Sequence, residues 1–219
     1  MTDLIVALDT RYRDAVAIVD ELDTLVSKYK IGLRSITEGD GIRLAEELKK
    51  RGKWVMYDGK WFDIPSQIIN SLEALYSLAD ACTVHIQSEM FPLVVEAVTR
   101  KISLIAITVL TSDPSMERAY SLARAAYKEG IASLVCPVSM VRQIKEGLPN
   151  TVLYVPGLRL TSLTPLNDHR FGGLLSHAAS LHPDNVILGR PIVEAVSRST
   201  VVKSVLGELA ALERDGEAH

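Results

Sequence analysis

Short runs of apolar, often β-branched residues alternate along the chain with longer segments of helical period. Each of eight such runs is hydrophobic at nearly every position rather than at every second one. Strands that are covered on both faces, as in a parallel sheet between helices, have this continuous pattern. The predicted strands are Leu4–Leu8, Tyr29–Gly32, Trp54–Asp58, Ala81–His85, Leu104–Thr108, Ser133–Cys136, Val152–Val155 and Val186–Leu188.

Between these runs, apolar residues recur at the spacing of a helix face, as at Ile68 and Leu72 and again from Val201 to Leu212. Gly52, Gly130 and Gly147 follow the charged last turns of predicted helices, where a glycine in the left-handed conformation is expected. The last helix, 201–212, is expected to close the fold or to join a dimer contact.

Eight strands that repeat about every 26 residues, each followed by a helix, predict a (β/α)8 TIM barrel. A doubly wound open sheet is the alternative that the periodicity leaves open. No linker, low-complexity tract or block of charge divides the chain, so the prediction is a single domain over residues 1–219.

Composition narrows the class of protein. The chain has 219 residues, 47% of them hydrophobic, and a formal charge of −3, which excludes intrinsic disorder and argues against general binding to nucleic acid or anionic membranes. No uncharged stretch approaches the roughly 18 residues of a membrane span. Asp3 and Asp9 flank the only apolar run near the N-terminus, which is unlike a signal peptide, so we expect a cytoplasmic protein. Cys82 and Cys136 lie in apolar runs and are expected to be buried and reduced.

Polar residues stand where the predicted strands end. In a barrel these ends meet at one mouth, which is where active sites lie. Charged groups directly after buried strands are poor candidates for stabilising elements, because burying an unpaired charge is costly. The residues concerned are Asp9, Lys30, Asp58, Lys60, His85, Thr108, Pro156–Gly157 and Gly189–Arg190.

The densest group of charges is the segment Asp58–Pro65, with the sequence Asp-Gly-Lys-Trp-Phe-Asp-Ile-Pro. Asp58 and Lys60 share a face while the strand continues, and Lys30 ends the neighbouring strand. Alternating lysines and aspartates favour the charged form of one another. A solvated network of surface ion pairs is the alternative interpretation.

At these residues the chain resembles the orotidine 5′-monophosphate decarboxylase family, whose signature is similar to Asp-x-Lys-x-x-Asp-Ile-Pro. The other strand ends resemble that family in the same order. They are Ala7–Asp9, Tyr29–Gly32, Thr83–His85, Thr108–Ser112, Pro156–Arg159 and Gly189–Ile192. The resemblance implies a TIM barrel that converts orotidine 5′-monophosphate to uridine 5′-monophosphate without a cofactor or metal. It also implies a homodimer with shared active sites.

The resemblance further implies a role for each matching residue. Lys60 would protonate C6 of the pyrimidine, and Asp58 would face the substrate carboxylate. Lys30 and Asp63 would complete the charged array, with Asp63 reaching the partner subunit's site. The substrate-binding residues would be Asp9 and Lys30 at the ribose, Gln67 and Thr111 near the pyrimidine, and Pro156, Gly157, Arg159, His169, Gly189 and Arg190 at the phosphate.

Three positions depart from the family pattern. Gly59 replaces a larger apolar residue, and Gln67 stands where a threonine closes the motif. In the loop after the seventh strand, His169 or Thr161 takes the place of a glutamine that holds the phosphate. This third departure bears on substrate affinity more than on the chemistry.

Two other functions remain open at this point. The array also resembles that of magnesium-dependent 3-keto-gulonate 6-phosphate decarboxylases and hexulose-phosphate synthases. Those enzymes usually lack the Ile-Pro pair and carry an acidic metal ligand where this chain has Lys30, with Glu38 and Asp40 lying slightly beyond it. The second alternative is a barrel that binds a nucleotide phosphate without turnover.

Overall fold

The computed structural model describes residues 2–86, 91–98, 100–109, 115–160 and 173–216. Its eight parallel strands are hydrogen-bonded in chain order, and the last pairs with the first, so the sheet closes into a barrel. This confirms the predicted TIM barrel and excludes the open doubly wound sheet. The strands are β1 Asp3–Ala7, β2 Lys28–Ile31, β3 Trp54–Trp61, β4 Ala81–His85, β5 Ser103–Ile107, β6 Ser133–Val135, β7 Val152–Val155 and β8 Asn185–Leu188.

Helices follow the strands and form the outer layer. Within the described ranges, no helix is long and apolar enough to cross a membrane. The helices are α1 Tyr12–Leu22, α2 Leu33–Thr37, α3 Gly41–Lys50, α4 Pro65–Glu73, α5 Phe91–Val98, α6 Met116–Lys128, α7 Val141–Gly147, α8 Leu175–Ser180, α9 Arg190–Val193 and α10 Arg198–Gly216, with a 3-10 turn at Val138–Met140.

The core has two parts because successive strand residues point to opposite faces of the sheet. One set packs outward against the helices and forms the larger cluster. The other set points to the barrel axis and fills it with large side chains such as Met56, Ile105 and Ile187, none more than 5% exposed. Because side chains fill the barrel interior, a ligand would bind at an end of the barrel.

Two aspartates link neighbouring strands at the N-terminal end of the barrel, which is opposite to the end where active sites lie. The Asp80 carboxylate accepts a hydrogen bond from the backbone N–H of Val55 at 2.7 Å, and Asp184 accepts one from Leu153 at 2.8 Å. The same contact thus ties β3 to β4 and β7 to β8. The C-terminal ends of these strands are left for other roles.

The predicted strands lie within one residue of the observed ones, except that β3 continues three residues beyond Asp58. The last helix is confirmed, and α10 closes the barrel by packing on α8 and α1. Both cysteines are buried and free, as expected.

One of the three glycine predictions is wrong. Gly52 and Gly130 have φ values of 69° and 82°, as a left-handed helix end requires. Gly147, in contrast, is the last residue of α7 and is not in that conformation. A Cβ there would lie 2.0 Å from the Tyr120 hydroxyl, so this glycine is needed for the close packing of α7 on a side chain of α6.

Candidate active site

The end of β3 is bent where the charged residues lie. Tyr57 pairs with Cys82 and Trp61 pairs with Val84. An advance of four residues along β3 therefore matches an advance of only two residues along β4. Such an irregularity re-aims side chains at a strand end. Lys60 has a φ of 51°, which is uncommon for a residue with a side chain. As a result, the Lys60 ammonium reaches back to Asp58, with Nζ 2.7 Å from Oδ2.

Four charged side chains from three neighbouring strand ends form one array, which we call the charged array: Asp9, Lys30, Asp58 and Lys60. Lys30 Nζ lies 3.2 Å from Asp9 Oδ2 and 3.0 Å from Asp58 Oδ2. The Lys30 and Asp58 side chains are only 11% and 10% exposed, whereas Asp9 is 49% exposed. The alternative of a solvated surface network is therefore wrong for the central pair.

The environment keeps both central groups charged. Burial alone would raise the pKa of Asp58, but the ammonium groups of Lys30 and Lys60 outweigh it and hold that pKa well below its usual range. Burial likewise acts to lower the pKa of Lys30, and the carboxylates of Asp58 and then Asp9 raise it above the ordinary lysine value. A carboxylate and an ammonium therefore coexist at neutral pH in a poorly solvated place.

Gly32 makes room for the outer half of the array, a role that the sequence alone did not reveal. It follows β2 at the start of α2. A Cβ at this position would lie 1.7 Å from Asp9 Oδ1 and 3.0 Å from Lys30 Nζ. Only glycine lets the Asp9 carboxylate approach Lys30 so closely. The one signal in the sequence was its position two residues after Lys30.

Gly59, the first departure from the family pattern, is accounted for by Trp61. A Cβ on Gly59 would lie 2.7 Å from Cε2 of the Trp61 indole. The half-buried indole packs against the core and takes the space that a larger residue at 59 would need. Trp61 therefore has a packing role, whereas the neighbouring Phe62 is 62% exposed.

His85 ends β4 beside the array. Its ring meets that of Phe62 edge-on, with centroids 6.2 Å apart. Burial lowers the pKa of His85, and the nearby Lys60 ammonium lowers it further. Near neutral pH this side chain is therefore an uncharged imidazole.

The residues expected to hold the phosphate that the structure describes lie on the other side of β1. Ala7 pairs with Lys30 of β2, while Val6 pairs with Leu188 of β8, the residue before Gly189. Strand β7 borders β8, and its end leads into Pro156 and Gly157. Gly157 has a φ of 75°, a conformation that requires glycine in practice.

Arg159 also lies at this end of the barrel. Its backbone N–H donates to the carbonyl of Gly173 at 2.9 Å, and its carbonyl accepts from Leu175 at 2.8 Å. The chain before residue 161 is thus joined to the chain after residue 172. Arg190 is exposed at the start of α9.

Some predicted site residues do not join the array within one chain. Asp63 is exposed, and its Oδ1 accepts from the backbone N–H of Ile64 at 2.7 Å; it forms no ion pair with any described residue. Gln67 is exposed on the first turns of α4. Thr111, Thr161 and His169 lie outside the described residues.

The described part of the chain contains no group of three or more His, Cys, Asp or Glu side chains placed to hold a metal ion. The space between Asp9 and Asp58, where two carboxylates would otherwise attract a cation, contains the ammonium of Lys30. Glu38 forms an ion pair with Arg34 at 3.1 Å instead of turning to the array.

The closed barrel and the buried ionic array at its C-terminal mouth define the chain as a (β/α)8 barrel enzyme. A profile of the Orotidine 5′-phosphate decarboxylase / HUMPS family matches residues 2–205. The chain belongs to this family.

Individual relatives agree with this assignment. The chain is 32% identical to the Orotidine 5′-phosphate decarboxylase of Methylobacterium nodulans, over 95% of both chains. It is also 32% identical to that of Rhodopseudomonas palustris, over 94% of each.

Two solved structures share the fold. The Orotidine 5′-phosphate decarboxylase of Lactobacillus acidophilus superposes with a TM-score of 0.80 at 23% identity, over 95% of this chain and 99% of that one. An uncharacterized conserved protein of Geobacillus kaustophilus gives 0.76 at 21%, over 94% and 99%.

Proposed function

We propose that this protein decarboxylates orotidine 5′-monophosphate to uridine 5′-monophosphate with its own side chains alone. The observation that carries the proposal is the ion pair between the Lys60 ammonium and the Asp58 carboxylate, 2.7 Å apart. The buried Lys30 ammonium contacts the same carboxylate. Membership of the family supports it.

Asp58 would act by repelling the substrate carboxylate. Two carboxylates about 4 Å apart at an effective dielectric constant near 20 repel by about 4 kcal/mol. Departure of neutral carbon dioxide removes this repulsion. The repulsion therefore raises the free energy of the bound substrate more than that of the transition state, which is the condition for catalysis by differential binding.

Lys60 would supply the proton. As the bond from C6 to the carboxyl carbon breaks, its electron pair stays on C6, and the ammonium both stabilises this charge and protonates the carbon. Lys60 is then a neutral amine that regains a proton from water. Lys30 lies 3.0 Å from Asp58, so the carboxylate would keep one cationic partner when Lys60 is neutral.

The remaining matched residues would bind the nucleotide. Asp9 and Lys30 would bind the ribose hydroxyls, and Gln67 and Thr111 would lie on the pyrimidine side. The phosphate would bind at the ends of β7 and β8, a frequent phosphate site in these barrels. Its assigned residues are Pro156, Gly157, Arg159, His169, Gly189 and Arg190. Binding at this remote anchor would offset the repulsion at the reacting carboxylate.

We further propose a homodimer with shared sites, working in the cytoplasm. Asp63 carries no cationic partner among the described residues of its own chain. It stands between Phe62 and Ile64, which are 62% and 61% exposed at the mouth of the barrel. A second copy that covered these apolar side chains would bring Asp63 toward the partner's charged array.

The two alternatives fit less well. A magnesium-dependent sugar-phosphate enzyme needs an acidic ligand at the end of β2, where Lys30 places an ammonium between two carboxylates. A barrel that only binds nucleotide has no use for a buried ion pair whose desolvation is costly.

The direct test follows the pyrimidine absorbance of orotidine 5′-monophosphate with the purified protein, with and without a chelator. We expect equal turnover in both, and in deuterium oxide the product should carry deuterium at C6, because ammonium protons exchange with solvent. Loss of turnover with the chelator would favour the metal-dependent alternative. Binding of uridine 5′-monophosphate without any turnover would favour the binding protein.

A further inference from the structure

Thr83 lies in the middle of β4, fully buried, and touches both members of the reacting pair. Its hydroxyl donates to Asp58 Oδ1 at 2.8 Å. The same oxygen accepts the backbone N–H of Lys60 at 3.0 Å. One side chain thus joins the carboxylate of Asp58 to the main chain of Lys60.

The directions of these hydrogen bonds are fixed by the number of protons. A threonine hydroxyl has a single proton to donate, and a backbone N–H can only donate. Because Lys60 is the donor in one contact, the hydroxyl proton is left for Asp58. With both lysines on Oδ2 and Thr83 on Oδ1, each oxygen of Asp58 has a partner that fixes the plane of the carboxylate.

The contact with Lys60 falls where the backbone is strained. A side-chain-bearing residue with a φ of 51° persists only where its surroundings hold it. The regular pairing between β3 and β4 is interrupted at this point, so ladder hydrogen bonds do not supply the restraint. The Lys60 N–H donates to the Thr83 hydroxyl instead of to a strand carbonyl.

We propose that Thr83 is a positioning residue that sets the geometry of Asp58 and Lys60 together: it orients the carboxylate and holds the Lys60 backbone in the conformation that aims the ammonium. The proposal rests on the proposed function, because its main consequence is read as turnover. It assigns Thr83 no contact with the substrate, and its effect passes through its two neighbours.

The test compares two substitutions with a matched control. Thr83→Val keeps the shape and removes the hydroxyl, and Thr83→Ser keeps the hydroxyl. Thr151→Val removes a buried hydroxyl that donates to the Leu148 carbonyl at 3.0 Å, away from the charged array. We expect Thr83→Val to lower kcat at least about tenfold, the rate equivalent of about 1.4 kcal/mol for a lost buried hydrogen bond. KM should rise by less than about threefold, since the groups proposed to bind the ribose and the phosphate are untouched.

Two further results should separate positioning from a general structural effect. Thr83→Ser should stay within about threefold of the wild-type kcat, and Thr151→Val should match the wild type. Wild-type kcat in Thr83→Val, or an equal loss in Thr83→Ser, would overturn the proposal.

Hydrogen exchange of the Lys60 amide provides a readout without substrate. It should be protected in the wild type and in Thr83→Ser and unprotected in Thr83→Val. If Thr83→Val does not fold, Thr83→Cys, whose thiol is a weak donor and acceptor, should show the same loss. An inactive wild type with this exchange pattern would refute the proposed function and leave the positioning role standing. An unprotected Lys60 amide in the wild type would refute the positioning role itself.

Discussion

Lys30 and Lys60 both donate to the same oxygen of Asp58, at 3.0 and 2.7 Å from Oδ2. Two ammonium groups are therefore held close together by one buried carboxylate. This arrangement lets one lysine give up its proton while the other keeps Asp58 ionised. Under the proposed function the two lysines would have separate tasks, Lys60 in proton transfer and Lys30 in keeping Asp58 ionised.

Gly32→Ala should damage the site by displacing Asp9. The new Cβ would lie 1.7 Å from Asp9 Oδ1, so the carboxylate must leave Lys30. If Asp9 binds the ribose, KM for orotidine 5′-monophosphate should rise about tenfold or more. Gly207→Ala is the matched control, because nothing lies within 4 Å of its Cβ position in α10. The control should retain activity and gain up to about 1 kcal/mol of stability. Equal KM values for Gly32→Ala and the wild type would contradict this role.

Gly59 and Trp61 should behave as a coupled pair. Gly59→Ala places a Cβ 2.7 Å from the indole, and the resulting clash should lower both kcat and the free energy of unfolding. Trp61→Leu removes the ring, so Gly59→Ala should lower the free energy of unfolding much less in the Trp61→Leu protein than in the wild type. A double-mutant cycle on the free energy of unfolding should give a coupling of about 1 kcal/mol or more. Additive effects would show that the two residues do not share this space.

His85 should make the fold sensitive to acid. Its pKa in the folded protein lies below the ordinary value of 6.5, owing first to burial and then to Lys60, with Asp58 opposing and Arg118 adding to the effect. Between these two values the unfolded chain binds more protons, so stability is complete above pH 6.5 and declines as pH falls through that range.

Urea unfolding of the wild type and His85→Gln at pH 8, 7, 6 and 5 measures this contribution. We expect the wild type to lose more stability than the variant on acidification, with the difference opening below pH 6.5. Titration of the aspartates affects the stability of both proteins, so the difference between their pH dependences reports on His85. Parallel curves would show that the imidazole titrates normally.

Asp63 should act across a subunit boundary. Asp63→Asn and Lys60→Ala are each expected to be nearly inactive as homodimers. After exchange of subunits, a hybrid dimer carries one site in which both Asp63 and Lys60 are intact, so activity should partly return. The measurement is turnover after mixing, with exchange verified by mass spectrometry of tagged chains. No recovery despite verified exchange would contradict the shared site.

The eight strands were predictable because buried parallel strands have a continuous apolar pattern that depends only on local sequence. That pattern left an open doubly wound sheet possible, and the resemblance to the family favoured the barrel. The residues of the array were also predictable, because a charge directly after a buried strand is costly unless it is paired, and such a cost points to a site. Their geometry was not. The continuation of β3 to Trp61, the left-handed Lys60 and the linking role of Thr83 arise from packing between strands, which no local pattern encodes.

Two glycines show the same limit. Gly147 follows charged residues like a helix-capping glycine, yet its small size serves the contact with Tyr120 on another helix. Gly59 departs from the motif because the Trp61 indole fills the space beside it. Both roles depend on which side chain comes near in the folded protein, and that information is tertiary.

The central claim is that the Lys60 ammonium, held on Asp58, protonates the carbon that loses carbon dioxide. The most direct test is the turnover of orotidine 5′-monophosphate by Lys60→Ala beside the wild type, with folding and binding of uridine 5′-monophosphate checked in both. We predict that the variant folds and binds the product but loses turnover by many orders of magnitude. Equal turnover by the two proteins would remove Lys60 from the chemistry and contradict the account.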